Sequence, residues 1–219
     1  MDRGFLKDWD ADSNEAPASR FGDRFHRRPS AKEQVSTALY RLKVQQSKLE
    51  AAATRMQQHD KEIFNKCVSS QLAHDSARAA MYANECAEVR KMAKATVQCQ
   101  MALEQVSLRL ETIQEFGDVA VMMAPVANVV HSIKNQISGV MPEVGLELGQ
   151  IGELLTSVVD ESGEVTGSSY EVGAPNPESN RILDEANAIA EQHVKERFPE
   201  LPSGSLAATQ RASEQGLSH

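Results

Sequence analysis

Residues 32–116 read KEQVSTALYRLKVQQSKLEAAATRMQQHDKEIFNKCVSSQLAHDSARAAMYANECAEVRKMAKATVQCQMALEQVSLRLETIQEF and contain neither proline nor glycine. Pro29 precedes the run, Gly117 follows it, and no other part of the chain goes nearly as far without a helix breaker. Ala, Gln, Lys and Glu between spaced apolar residues are the composition of long helices. At about 1.5 Å rise per residue, one rod of this length would reach roughly 130 Å, and a hairpin half of that.

The periodicity favours the hairpin. Val35, Leu42, Leu49, Met56 and Ile63 recur at one heptad position, and Leu39, Gln46, Ala53, Asp60 and Cys67 at the other. The first set is apolar and the second is mixed, a lopsided seam better suited to an intramolecular hairpin than to a homodimeric zipper. The pattern is weakest from Cys67 to Arg78, where Ser69, Ser70, His74, Asp75 and Ser76 cluster, and this marks the tip. It resumes at Met92, Thr96, Cys99, Leu103, Val106, Leu110 and Ile113. Arms near 37 and 45 residues are expected. Ser30 and Glu33 form a capping box at the start. Arg41, Lys48 and Arg55 also recur every seven residues and lay a basic stripe along another face.

Outside the run the punctuation returns. Gly117 is the first permissive residue after the rod and a natural hinge. A shorter helix is expected over 119–138, kinked or begun by Pro125. After the break at Gly139–Pro142 comes another, with Val144, Leu148, Ile151, Leu154 and Leu155 on one face, ending near Val159. The next helix buries Ile182, Leu183, Ala186, Ile189, Ala190 and Val194. A lone helix of about 20 residues is marginal in water, so it docks on its own rod or on a partner. The chain thus divides into an N-terminal arm (1–30), an all-α core (31–158), a linker (159–177), an amphipathic helix (178–197) and a proline-containing tail (198–219). In the arm, Phe5, Leu6, Trp9, Phe21 and Phe25 stand among arginines, which suits either an interfacial helix or a flexible segment.

Charge is strongly polarised. The net charge of −8 resolves into zero over 1–31, +4 over 32–110, −12 over 111–200 and zero over 201–219. Such blocks are either solvated faces or an acidic half able to cover a basic one. Aromatics make up only 5% of the chain, which favours elongated helix-on-helix packing over a large globular core. Cys67, Cys86 and Cys99 lie in helical pattern with no CxxC, as small apolar residues in a reducing cytosol. No apolar run approaches the roughly 20 residues that span a bilayer, so membrane contact would be peripheral.

Motifs for catalysis are lacking. No Gly-rich loop leads into Lys-Ser/Thr, the six histidines do not pair at metal spacing, and no Glu-x-x-His is present. The chain is not expected to be an enzyme, and no catalytic, cofactor or metal residue is assigned. At the other end, Phe198-Pro-Glu-Leu-Pro202 alternates apolar residues with proline. It is either a low-entropy extended segment for a groove between helices or simply the end of a helix.

Four strings carry a family likeness: His59-Asp-Lys-Glu-Ile-Phe64, Arg78-Ala-Ala-Met-Tyr-Ala-Asn-Glu-Cys-Ala-Glu-Val-Arg90, Leu103-Glu-Gln-Val-Ser-Leu-Arg-Leu-Glu-Thr-Ile113 and Met141-Pro-Glu-Val-Gly-Leu-Glu-Leu148. Across about 31–158 the chain resembles the ESCRT-III proteins, in their archaeal cell-division branch, CdvB. That resemblance implies a filament-forming membrane remodeller, closed by its acidic C-terminal part and opened to polymerise with itself or with paralogues. It implies a cytoplasmic protein, peripheral at the inner membrane face of the division site, with no nucleic-acid partner. Phe198, Pro199, Glu200, Leu201, Pro202 and Leu206 look like the family's motif for the MIT domain of its AAA+ ATPase, of the CdvC type. Arg41, Lys48 and Arg55 become the candidate membrane or acidic-partner face, each charge contributing on the order of 1 kcal/mol near an anionic surface. Gly117 becomes the opening hinge.

Two departures qualify this likeness. Only 13 residues follow Leu206, too few for the winged-helix domain through which some relatives are recruited. Gly204 and Ser205 stand where further prolines belong, which points to weaker ATPase affinity. A non-polymerising coiled-coil adaptor and a phage-shock-type membrane scaffold share the helical pattern and stay open as alternatives.

Overall fold

The computed structural model describes residues 30–116, 119–166 and 176–201. Among them lie five helices and no strand: α1 (Ala31–Leu72), α2 (Ser76–Phe116), α3 (Val119–Ile137), α4 (Pro142–Thr166) and α5 (Pro177–Arg197). The arms α1 and α2 are antiparallel, with 42 and 41 residues. They are more nearly equal than expected because the turn is confined to Ala73–Asp75.

That turn closes without glycine. His74 takes the left-handed φ of 58°, which histidine tolerates better than bulky or β-branched residues. Its N–H donates to the Gln71 carbonyl and the Asp75 N–H to Ser70, the hydrogen-bond pair of a Schellman cap. Asp75 then caps the returning helix, its Oδ1 accepting from the Arg78 N–H at 3.0 Å. One three-residue link thus ends α1 and starts α2.

The seam follows the heptad reading, with Val35, Leu42 and Leu49 in one cluster with Cys99, Leu103, Val106 and Leu110, and Ile63 in another with Cys86 and Val89. Met92 departs from it and is exposed, and the smaller Val89 and Ala93 fill the seam instead. Small seam residues near the tip, Cys67, Ala79 and Ala83, let the two backbones approach closely. Near the chain ends of the arms the seam holds larger residues, and α3 and α4 thicken the structure. There Met123, Ile133, Leu148, Ile151 and Leu155 join Leu42, Leu49, Leu103 and Leu110 in one core.

Helix α3 packs on α2 and α4, and α4 packs on α1. Pro125 lies inside α3 rather than at its start. Close approach of α3 and α4 depends on glycines. A Cβ on Gly152 would come within 2.8 Å of the His131 ring, and one on Gly145 would collide with the Ser138 hydroxyl. The α4 helix continues past its expected end at Val159 to Thr166, so the linker begins later. Val158 and Val159 are buried, and Glu161 accepts from Gln34 of α1, which carries the helix onward. Helix α5 starts at Asn176, whose side chain accepts from the Glu178 and Ser179 N–H groups, with Pro177 in the first turn. It runs antiparallel to α2, burying Ile182, Ala186 and Ala190, while Ile189 is exposed rather than on the buried face. Ser179 fastens its start by donating to the Pro125 carbonyl at 3.0 Å.

Candidate functional site

Two stations on the hairpin hold C-terminal segments, and each is built on an arginine. The first begins from the polar oddity in the seam. Asp60 occupies a heptad position between the arms and is only 1% exposed. A carboxylate there must be neutralised, since an unpaired buried charge is costly. Arg90 of α2 does this with a two-pronged contact, Nε to Oδ1 at 2.7 Å and Nη2 to Oδ2 at 3.0 Å. The pairing fixes the plane of the guanidinium and leaves Nη1 and the ring-facing surfaces for another ligand.

That ligand is the segment after α5. Arg90 Nη1 donates to the Pro199 carbonyl at 2.6 Å. Its guanidinium carbon lies 5.9 Å from the Phe64 ring centre and 5.6 Å from that of Phe198, within cation–π range of both. Phe198 is buried, and Leu201 packs on the cluster of Ile63, Cys86 and Val89, with Phe64 and Tyr82 at its edge. Glu200 is exposed. Burial pushes the Cys86 thiol up to about 12, with the Asp60 carboxylate adding to the effect, so Cys86 serves as packing. Burial alone pushes Cys99 to about 12 as well.

The second station is the rim between α1 and α4. Arg41 Nε donates to Glu147 Oε1 at 2.8 Å and Nη2 to Gln150 Oε1 at 2.7 Å. The hydrogen bond from Arg41 holds the Glu147 carboxyl below the usual range, helped by the charges of Arg41 and Lys48. Two further pairs join the hairpin to α5: Lys94 with Glu191 at 2.7 Å, and Arg109 with Glu178. Acidic residues of the C-terminal half thus pair with cations of the hairpin.

Of the stripe read from the sequence, Arg41 is engaged by α4 while Lys48 and Arg55 are exposed. Of the tail residues, Phe198 and Leu201 rest on the hairpin; Pro202 and Leu206 lie outside the described residues, as do Gly117 and the arm up to Pro29. Asp60, Phe64 and Arg90 form a site that sequence reasoning does not reach. A carboxylate at a heptad position was the available signal, because it demands a partner across the hairpin. Among the described residues no group of three or more His, Cys, Asp or Glu could hold a metal ion, and no helix is long and apolar enough to cross a membrane.

No family model and no solved structure matches the chain. Curated proteins do. Over 175 residues, 80% of this chain, it is 46% identical to Cell division protein B1 of Sulfolobus acidocaldarius, covering 82% of that protein. Over 175 residues it is also 34% identical to Cell division protein B of the same organism, covering 67% of it. With this identity, and with a long helical hairpin carrying shorter packed helices, the chain belongs to the CdvB family of cell-division proteins, of ESCRT-III type.

Proposed function

We propose that the chain is the subunit of a filament that constricts or remodels membrane during cell division. In this reading the subunit is held closed by its acidic C-terminal part. It opens at Gly117 to polymerise at the inner membrane face, and an MIT-domain AAA+ ATPase that grips Phe198, Pro199, Glu200, Leu201, Pro202 and Leu206 extracts it. Lys48 and Arg55, joined by Arg41 once α4 leaves, provide the face toward an anionic membrane. The observation that carries the reading is the pairing of C-terminal carboxylates with hairpin cations, at Arg41–Glu147, Lys94–Glu191 and Arg109–Glu178. Lifting α4 and α5 would uncover basic groups and the apolar seam together, which is what a subunit needs in order to bind a surface and its neighbours.

Negative-stain electron microscopy on anionic vesicles tests this, comparing the full chain with one ending after Thr166. The shorter chain should coat or deform vesicles at concentrations where the full chain does not. If both remain monomeric under all conditions, the filament reading fails. A fixed small oligomer, unchanged by loss of the tail, would mark an adaptor instead.

A further inference from the structure

One exposed face of α1 is free of charge. Thr37, Tyr40, Val44, Ser47, Ala51 and Thr54 follow one another at spacings of three and four, all exposed, with Tyr40 at 71%. Charged residues make up 25% of the chain, yet none of these six is charged. Thr37 and Thr54 donate their hydroxyls to the Glu33 and Glu50 carbonyls of the same helix, so neither needs a partner outside it. Small and apolar residues at this spacing form a helix-packing seam, here a second one besides that which closes the hairpin. Lys48 and Arg55 edge it, each next in sequence to a stripe residue.

Helix α4 carries an outer stripe of the same length and spacing. Glu143, Leu146, Gln150, Glu153, Ser157 and Asp160 are all exposed, Leu146 by 72%, and α4 has no lysine or arginine. Glu147 and Glu161 are engaged by Arg41 and Gln34. Glu143, Glu153 and Asp160 have no ion-pair partner among the described residues. Laid side by side in parallel, the two stripes match position for position. Leu146 then meets Tyr40 and Val44, Ser157 meets Ala51, and Glu153 and Asp160 lie beside Lys48 and Arg55. Each charged pair of positions spans seven residues, about 10.5 Å of helix. An antiparallel alignment of the same charges would set Leu146 against Glu62 instead. Within one chain α4 runs antiparallel to α1, with Glu147 at Arg41 and Glu161 at Gln34, so the parallel match needs a second chain.

We propose that the outer stripe of α1 is a docking surface for the outer stripe of α4 on a second copy of this chain. The two surfaces differ, so each joined pair leaves one of either kind free, and the contact adds subunits in a row. It is about 25 Å long and has few large apolar residues, which makes it weak and salt-sensitive. Both stripes are exposed in the closed subunit, so the contact does not rest on the filament reading.

Sedimentation velocity of the full chain at low salt, without vesicles, tests this. The sedimentation coefficient should rise with concentration and return to the monomer's value near 1 M salt, where screening acts over about 3 Å. Lys48→Glu with Arg55→Glu, or Glu153→Lys with Asp160→Lys, should each weaken association at least about tenfold by setting like charges together. Mixed in equal amounts, the two variants should recover it, because the reversed α1 stripe of one meets the reversed α4 stripe of the other while their unreversed stripes still match. That recovery also excludes misfolding as the cause of the loss. Leu146→Ser should cost about tenfold through lost apolar contact. A chain that stays monomeric at low salt and millimolar concentration, variants that associate as the wild type does, or a mixture no better than its parts overturns the proposal. If Lys48→Glu with Arg55→Glu loses vesicle binding and nothing else, the stripe belongs to the membrane and the proposal is again overturned.

Discussion

Arg41 and Arg90 belong to the two arms of one hairpin, and each hydrogen-bonds a carboxylate at 2.7–2.8 Å, yet they do different physical work. The Arg41 and Glu147 side chains are 27% and 32% exposed, and the partner comes from α4, outside the hairpin. Arg90 and Asp60 are 14% and 1% exposed, and both belong to the rod itself. Exposed pairs contribute about 0–1 kcal/mol, whereas breaking a buried one leaves an uncompensated charge. Arg41 is thus a fastener at the rim and Arg90 a structural element that also offers a binding surface. The shorter helices and Phe198 are held on the hairpin mainly by apolar burial, with α3, α4, Ile182 and Ala186 in or against its core. Raised salt should therefore loosen the closed form only modestly.

The largest expected effect is at Arg90. Arg90→Ala strands the Asp60 carboxylate and should destabilise the chain by about 3–5 kcal/mol, read as a fall of roughly 6–20 °C in Tm. Replacing both partners by apolar residues, Asp60→Leu with Arg90→Met, should recover most of that stability without restoring the grip on the tail. A mild effect from Arg90→Ala alone would mean that the two arginines are equivalent after all.

Next in size is Gly152→Ala, which tests how α4 is seated opposite Arg41. The added methyl meets the His131 ring at 2.8 Å, a strain of about 1–3 kcal/mol offset by up to about 1 kcal/mol of helix propensity. A net loss near 1 kcal/mol in thermal unfolding is expected. A gain would mean that α3 retreats freely.

Smaller still is Arg41→Ala, within about 1 kcal/mol at low salt and vanishing near 1 M salt, where screening acts over about 3 Å. Its pH dependence sharpens the contrast. Glu147 is held below the ordinary carboxylate value by the Arg41 hydrogen bond, and Glu191 by that of Lys94. A carboxyl depressed in the closed form adds stability that is complete above its ordinary pKa of about 4.3 and is lost as pH falls through its lower, closed-state value. The gap in Tm between wild type and Arg41→Ala should therefore close as pH falls below about 4. A gap that persists at pH 3 would show that Arg41 acts through packing rather than through Glu147.

The long elements were legible because their signals are local. Heptad spacing gave the seam from Val35 to Ile63, and Pro142 and the Ser/His/Asp cluster gave the breaks. The helix extension to Thr166 was not legible, because it depends on contacts of α4 with α1, such as that between Glu161 and Gln34, far apart in sequence. The Arg90 station was half legible. Asp60 shows as a charged residue in a mixed heptad set, but its partner lies 30 residues away and depends on the register set by a three-residue turn. The tail motif was visible as a composition, and its seat on the hairpin was not, because no local spacing encodes a contact between residues 90 and 199. The glycines at 145, 149 and 152, all on the α3-facing side of α4, were a readable sign of close helix approach that apolar residues overshadowed.

In the proposed opening, one hairpin persists while the C-terminal segments leave it. Hydrogen exchange read by mass spectrometry, on the full chain before and after assembly on anionic vesicles, tests this most directly. Protection at Phe198 and along α5 should be lost in the assembled form while the seam around Leu42, Leu49, Leu103 and Leu110 stays protected. Assembled chains in which α5 and Phe198 are as protected as in the free subunit, and protected within the same chain, would contradict it.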